Sequence, residues 1–559
     1  MKKTAVIITL LCASAFSFAQ TEAEKGLEAL TMESIKSQLG FLASDWTEGR
    51  AVGTKGAYMA ADYIAAMMEL YGVEPFGDEV YSRPTRQEMM AGIRPTASKT
   101  FYQNFSLLQY EPGDEQKFSV VTSSPGSESA VDFAYQSDFS VNTGTVGQSA
   151  QAGLVFVGYG FKNEDEGYDD LAKIDLKGKI AVVLRGYPGH QDTSSVGYEK
   201  FTLEDRRAMY RIERDKMDRL ADAGVIAVIQ IIPDYDPSMS WSKNQIYPVK
   251  GAYYEADQPL SSYYTNRMAM PGKELGGSIP SFMVTPRVVN AIISGTGIDF
   301  EAFEKEVAND LKPQSQVLNG KSVAFKTSVN SEIVKARNVV GMIEGEKKDE
   351  FIVVGGHYDH LGKHDGWIWN GADDNASGTV GVLSIAKAFK ATGKKPERSI
   401  IFAAWTGEEK GLYGSKYFVE QAKEKDMKVV LNLNYDMIAR DTEQDTAKNM
   451  ARMVYTEANY NIEEATKKYV EDYDINLDLT YSPSEKPGGG SDHAPFAEAG
   501  IPVFYYMAAM HPDYHQPSDE LSKINWDKML NIIKIGFLST WEFANTDDWT
   551  RTKVQPEEN

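Results

Sequence analysis

The histidines of this chain are unevenly placed: of seven, six follow residue 356, and they lie among closely spaced carboxylates. Gly355-Gly356-His357-Tyr358-Asp359 follows the apolar run Phe351–Val354. His357 can ligate a metal through one ring nitrogen while Asp359 takes the other N–H and fixes the tautomer. A His-x-Asp alone reads equally well as a structural hydrogen bond. The segment Asn370-Gly371-Ala372-Asp373-Asp374-Asn375-Ala376-Ser377-Gly378 is a polar loop opening onto a helix. Paired aspartates before a helix are often caps, but a carboxylate at a loop apex can also bridge two cations. Gly407-Glu408-Glu409-Lys410-Gly411 follows another apolar run, Ser399–Ala404. One of two adjacent glutamates can bind metal while its neighbour faces the reacting water; the plainer alternative is a solvated charge run. Asp436 ends a third apolar run, and Ser491-Asp492-His493 and Tyr514-His515-Gln516-Pro517-Ser518-Asp519 come from later loops. Together these segments offer two histidines and three carboxylates, a set suited to two adjacent zinc-like ions sharing one carboxylate. The set is rich in oxygen, so cobalt or manganese would also suit it.

Such residues need a scaffold that brings distant segments to one edge. From about residue 322 onward, strands (Phe351–Val354, Ser399–Ala404, Val429–Leu433, Pro502–Tyr506) alternate with helices (Ser377–Ala391, Leu412–Lys423, Ile462–Val470, Trp526–Thr540). This alternation predicts an α/β fold, a mostly parallel twisted sheet covered by helices. The glycines before His357 are read as a tight turn at the strand's C-terminal end, where open α/β sheets place their sites. Apolar residues at helical spacing mark Met32–Leu42 and Gly53–Tyr71, and Phe101–Leu107 reads as a strand. The stretch 115–321 differs, with short β-type runs at Gly153–Tyr159, Lys179–Leu184 and Val225–Ile232 and a charged helical segment over Leu203–Ala223. It is read as a β-rich insert between a first catalytic part, 20–114, and a second, 322–545, followed by a loose tail, 546–559.

Composition narrows the compartment and the partners. With 559 residues, 42% hydrophobic and 25% charged, the chain reads as a soluble protein of two or more domains. Lys2 and Lys3, the apolar run Ala5–Ala15 and the small residues in Ser17-Phe18-Ala19 predict a signal peptide over 1–19, hence export to the periplasm or beyond. A retained anchor is the alternative; after cleavage no stable membrane insertion is expected. Cys12 is the single cysteine and would leave with the leader, which excludes a cysteine nucleophile and any Cys-based zinc site. The net charge of −22 argues against nucleic acid and anionic membranes as partners. It suits cationic ligands such as free amino termini, although solubility explains it as well.

The pieces GGHYDH, NGADDNASG, TGEEKGLYGS, LNYDM, SDHAPF and YHQPSDE, with FLASDWTEGR near the N-terminus, resemble the co-catalytic dizinc aminopeptidases. That superfamily also contains glutamate carboxypeptidase and the transferrin receptor. The resemblance covers roughly 25–110 and 322–545. It implies two zinc ions per chain: His357 and Asp436 on one, Glu409 and His515 on the other, and Asp374 between them. It further implies Glu408 as general base, Asp359 as the partner of His357, and a cis peptide at Asp374–Asn375. The activity implied is removal of N-terminal amino acids from peptides with a free N-terminus, through a hydroxide bridging the two zinc ions. VGYGF, YDDLAKIDLKGKIAVVLRG and AGVIAVI make the insert resemble a protease-associated domain. In one place the chain departs from the family: where some members carry a tyrosine before the SDH segment, this chain has Gly488-Gly489-Gly490, leaving Tyr481, Tyr505, Tyr506 or the metals to stabilise an oxyanion. Met507, Met510, Tyr505 and Tyr506 read equally as a specificity pocket or as packing. Three rivals remain. A carboxypeptidase on the same scaffold would need a cation such as Arg440 for the terminal carboxylate. A glutaminyl cyclase would use one zinc and lack the double aspartate. A non-catalytic, receptor-like binding protein should have lost ligands, whereas all five positions and Glu408 are present.

Overall fold

The computed structural model describes residues 21–135, 137–202, 208–231, 266–272, 279–364 and 366–547. The expected leader with Cys12, residues 203–207 and Ile232 of the insert, and the tail beyond 547 lie outside the described residues.

A ten-stranded mixed sheet organises the molecule. Its strands are β1 (Tyr102–Pro112), β2 (Arg267–Ala269), β3 (Val329–Ile343), β4 (Lys347–His357), β5 (Arg398–Trp405), β6 (Lys428–Tyr435), β7 (Met450–Thr456), β8 (Asp478–Ser484) and β9 (Val503–Met507), with Glu74–Pro75 pairing on β3. Their spatial order is β2-β1-β3-β5-β4-β6-β9-β7-β8. The four central strands, β5, β4, β6 and β9, run parallel. Antiparallel pairs flank them, β3 on β5 and β7 on β9, and the edge pair β7–β8 is parallel again, so the sheet is mixed around a parallel centre.

The apolar runs are continuous because these strands are covered on both faces. Along β4, Ile352 and Val354 point into one core with Leu383 and Phe389 of α1 (Gly378–Thr392) and with Ile533 and Phe537 of α2 (Trp526–Asn545). Phe351 and Val353 point the other way, to Phe418 and Phe496. At about 1.5–3 kcal/mol per fully buried large apolar side chain, this double burial dominates what holds the central strands in register.

The glycines before His357 serve space rather than a turn. Gly355 and Gly356 continue β4 in register with Ala403 and Ala404. A Cβ on Gly355 would stand 2.5 Å from the Trp405 indole nitrogen, and one on Gly356 would stand 2.9 Å from the Tyr435 carbonyl oxygen.

A second, eight-stranded sheet is built from strands between Lys117 and Lys326, with a separate apolar core that includes Phe118, Phe156, Phe282 and Phe325. The chain enters it after β1 and leaves it into β3. Among the described residues it also returns to the first sheet: β2, from within this stretch, pairs with β1 at that sheet's edge.

Candidate metal centre

The parallel strands end on one edge of the sheet, and the chemistry-bearing residues gather there. His357 ends β4, Glu408 and Glu409 follow β5, Asp436 follows β6, Asp374 lies in the loop before α1, and His515 lies in the loop after β9. His357 Nε2 stands 3.5 Å from Asp374 Oδ1 and 3.4 Å from Asp436 Oδ1. His515 Nε2 stands 3.3 Å from Asp374 Oδ2 and 3.2 Å from Glu409 Oε2. Asp374 thus turns one oxygen to each histidine. All five ligand positions read from the sequence are brought together.

These spacings test the fit of a metal. Zinc bonds of about 2.0–2.1 Å in a tetrahedron place two ligand atoms about 3.3–3.4 Å apart. A charge-assisted N–H···O bond would be shorter, about 2.7–2.9 Å. Moreover, His357 Nε2 and Asp436 Oδ1 are buried without a hydrogen-bond partner. Buried polar atoms are rarely left so, and a donor set of two imidazoles and three carboxylates fits two divalent ions.

Several neighbours fix this geometry. His357 Nδ1 is 3.1 Å from the main-chain oxygen of Asp359, whereas the Asp359 carboxylate is 3.9 Å away. The expected His357–Asp359 partnership is therefore made by the carbonyl, and the carboxylate instead accepts the Glu408 N–H at 3.2 Å. The Asp374–Asn375 peptide is cis. Asp519 accepts the N–H groups of Asp373 and Asp374, each at 3.0 Å. The Asn375 side chain donates to the Tyr435 carbonyl and accepts from Gly378 and Met437 N–H. Arg50, fully buried, donates to the carbonyls of Tyr358, Leu42, Asn370 and Gly371, tying the start of the loop to the end of β4. His515 holds a left-handed backbone, φ 58°, a conformation costing a non-glycine residue about 1–2 kcal/mol and typical of residues positioned for function.

Electrostatics follow from packing so many acids together. Burial raises the Glu408 carboxyl well above its ordinary range, with Glu409 and Asp436 adding repulsion and His357 opposing it. Burial also pushes Asp359 and Asp492 up to about 7. Burial alone would lower His357, but Glu408 and Asp436 outweigh it and hold the ring well above its usual value. For His515 the same contest, with Glu409 and Asp374 opposing burial, ends at about 10. Against burial, His515 and His360 keep Glu409 well below the usual carboxylate range.

Other expected residues fall elsewhere. Arg440 is buried, 2.5 Å from Asp513 and 3.4 Å from Asp519, and so is committed to the loop that carries His515. Tyr506 points into the core of the opposite sheet face, and Tyr481 packs against that core. Tyr505 stacks on His493, centroids 4.5 Å apart, and burial with Asp436 and Glu408 nearby raises its phenol well above 10. Tyr514, not weighed from the sequence, stacks on His515 at 3.8 Å. Sequence reasoning also gave no role to Arg50, Asp519 or His360, although all three lie inside the motifs quoted above.

Residues 338–537 match the model of peptidase family M28. The chain is 28% identical over 421 residues to a Caenorhabditis elegans protein named glutamate carboxypeptidase 2 homolog, covering 66% of this chain and 50% of the relative. It is 30% identical over 251 residues to a probable leucine aminopeptidase of Trichophyton verrucosum (strain HKI 0517), covering 43% of this chain and 67% of the relative. It thus spans about half the length of the glutamate carboxypeptidase 2 homologs it matches. An aminopeptidase from Aneurinibacillus sp. strain AM-1 shares the fold, with a TM-score of 0.55 at 18% identity over 96% of this chain and 98% of that one. With its motifs in order on this fold, the chain belongs to peptidase family M28.

Proposed function

We propose that this chain is a dizinc exopeptidase that removes N-terminal residues from peptides. The observation that carries the reading is the pair of histidines flanking Asp374, with spacings of 3.2–3.5 Å to its two oxygens, Glu409 and Asp436. His357, Asp374 and Asp436 would hold one ion, and Asp374, Glu409 and His515 the other. Divalent ions held there would supply Lewis acidity, lowering the pKa of water and polarising a carbonyl. Glu408 stands apart from both ligand sets, 4.0 Å from His357 Nε2, as a general base requires. Its raised proton affinity suits a carboxylate that takes a proton and returns it to the leaving amine. Tyr505, near Asp436 and Glu408, and Tyr514, stacked on His515, are the phenols proposed to stabilise a developing oxyanion.

The stretch between 115 and 321 is proposed to be a protease-associated insert that shapes substrate access, and residues 1–19 an export signal. A carboxypeptidase is the second reading, favoured by the named Caenorhabditis elegans relative. It loses its cation, because Arg440 is bound by two aspartates.

The test is cleavage of one peptide, with free and with acetylated N-terminus, by the zinc-loaded chain, with products read by mass. Loss of the first residue from the free form alone is expected. Loss of the C-terminal residue from both forms would overturn the reading in favour of a carboxypeptidase, and no cleavage of a panel of free peptides would remove the peptidase reading.

A further inference from the structure

His360 is a third histidine at this centre, unused by the proposed mechanism. It sits just beyond β4 and is 2% exposed. Its Nδ1 lies 2.7 Å from Glu409 Oε1 and 3.9 Å from Asp374 Oδ2. Its ring is clamped: a Cβ on Gly371, whose φ is +52°, would stand 2.5 Å from His360 Cδ2. The ring also meets His515 edge-on, with centroids 5.9 Å apart.

Two roles are open to such a residue, ligand or support, and distance separates them. Glu409 presents Oε2 to His515 at 3.2 Å, the edge of a zinc tetrahedron. It presents Oε1 to His360 at 2.7 Å, the length of a charge-assisted hydrogen bond. Two atoms 2.7 Å apart on one zinc would subtend about 80° rather than about 109°.

We infer that His360 is a positioning residue: its Nδ1–H donates to Glu409 Oε1, so that Oε2 alone is offered to the metal shared with His515 and Asp374. This rests on the dizinc reading above. The hydrogen bond stops the carboxylate from rotating and leaves it one-toothed, which keeps the second site compact and next to the first. Hydrogen bonds to ligands behave this way in metal sites generally, and their loss costs about 10–100-fold in metal affinity.

The experiment is zinc titration of the metal-stripped full chain against a chromophoric chelator, which reads both affinities without activity. His360→Phe keeps the ring packed against Gly371 but removes the donor. His360→Asn places an amide N–H near the Nδ1 position. With His360→Phe, two zinc ions should still bind, one of them about 10–100-fold more weakly; His360→Asn should recover most of that loss. Two wild-type affinities in His360→Phe would overturn the proposal and leave only packing. Loss of one zinc from His360→Phe, with two retained in His515→Ala, would overturn it in favour of His360 as the ligand. A wild-type chain that takes up fewer than two zinc ions would refute the dizinc reading itself, an outcome distinct from the other two.

Discussion

Arg50 offers the sharpest test of how this centre is held. Its guanidinium is buried and spends its donors on four main-chain carbonyls, including those of Tyr358 at 2.7 Å, Asn370 at 2.7 Å and Gly371 at 3.0 Å. Burial pushes its pKa down to about 10, with Asp359 and Asp374 opposing, so it stays charged at neutral pH. Arg50→Met keeps the stem and removes every donor. Each buried acceptor left unpaired costs about 1–3 kcal/mol. Carbonyls relax and share their loss, so the low end of four such terms, about 4 kcal/mol, is the expected destabilisation, a size reserved for broken buried networks. With a urea m-value of about 3–4 kcal/mol/M for so long a chain, the transition should move down by about 1 M. Trp369, fully buried beside Asn370, reports the change by fluorescence. Arg50→Lys keeps the charge but places one ammonium where a planar fork reached four carbonyls, so it should recover less than half of the loss. An unchanged urea midpoint in Arg50→Met would refute the claim that these bonds hold the loop, and a wild-type midpoint in Arg50→Lys would show that charge alone matters.

Four further outcomes follow from the same geometry. Glu408→Gln should keep its zinc while turnover falls about 10²–10⁴-fold; normal turnover would remove Glu408 as the base. Asp374→Asn should weaken both zinc ions in a metal titration, and loss of only one would contradict a bridging role. Asp170, buried and accepting from Tyr159 N, Phe161 N and the Tyr168 hydroxyl, is pushed up to about 7 by burial. The folded chain then holds a proton between about 4 and 7 that the unfolded chain releases, so stability should fall as pH rises through that window and level off above it; Asp170→Asn should flatten the slope in urea unfolding at several pH values. Asn266 accepts from the Lys410 ammonium at 2.7 Å, beside Glu409. Asn266→Ala should cost about 1.5–3 kcal/mol at this contact and lower kcat/KM, whereas unchanged kinetics would detach the insert from the catalytic loop.

Strong periodicity was legible in the sequence, and tertiary support was not. The central strands and both long helices of the second half appear where double-sided burial writes continuous apolar runs. β3 escaped notice because its first half, Val329 to Arg337, is polar and mostly exposed, and its pairing with β1 is carried by main-chain bonds that leave little mark on composition. The clustering of His357, Asp374, Glu409, Asp436 and His515 was legible because histidines and carboxylates recur at the ends of apolar runs and in the loops beside them; that they hold metal is the proposal above. Arg50 and Asp519 were not assigned roles because each acts on backbone groups far away in sequence, Gly371 for one and Asp373 and Asp374 for the other. The two glycines before His357 are legible as a special backbone position, but glycine can mark room as well as a turn, and the Trp405 ring and the Tyr435 carbonyl show that here it marks room.

The cations around the centre give the arrangement its logic. Arg50 is spent on carbonyls, Arg440 on Asp513 and Asp519, and Lys410 reaches Asn266. Among the described residues, no lysine or arginine forms an ion pair with Asp374, Glu409 or Asp436. Had one done so, the carboxylate would be neutralised in place, and a metal would have to break a buried pair at a cost of several kcal/mol. Instead the protein's own charges brace the loops, and among the described residues the ion-pair contacts of Asp374, Glu409 and Asp436 are with histidines, while Arg50 and Lys410 act on Asp374 and Glu409 from farther away. On the proposed dizinc reading, those rings would give up their protons as a metal binds, so uptake would exchange protons for divalent ions.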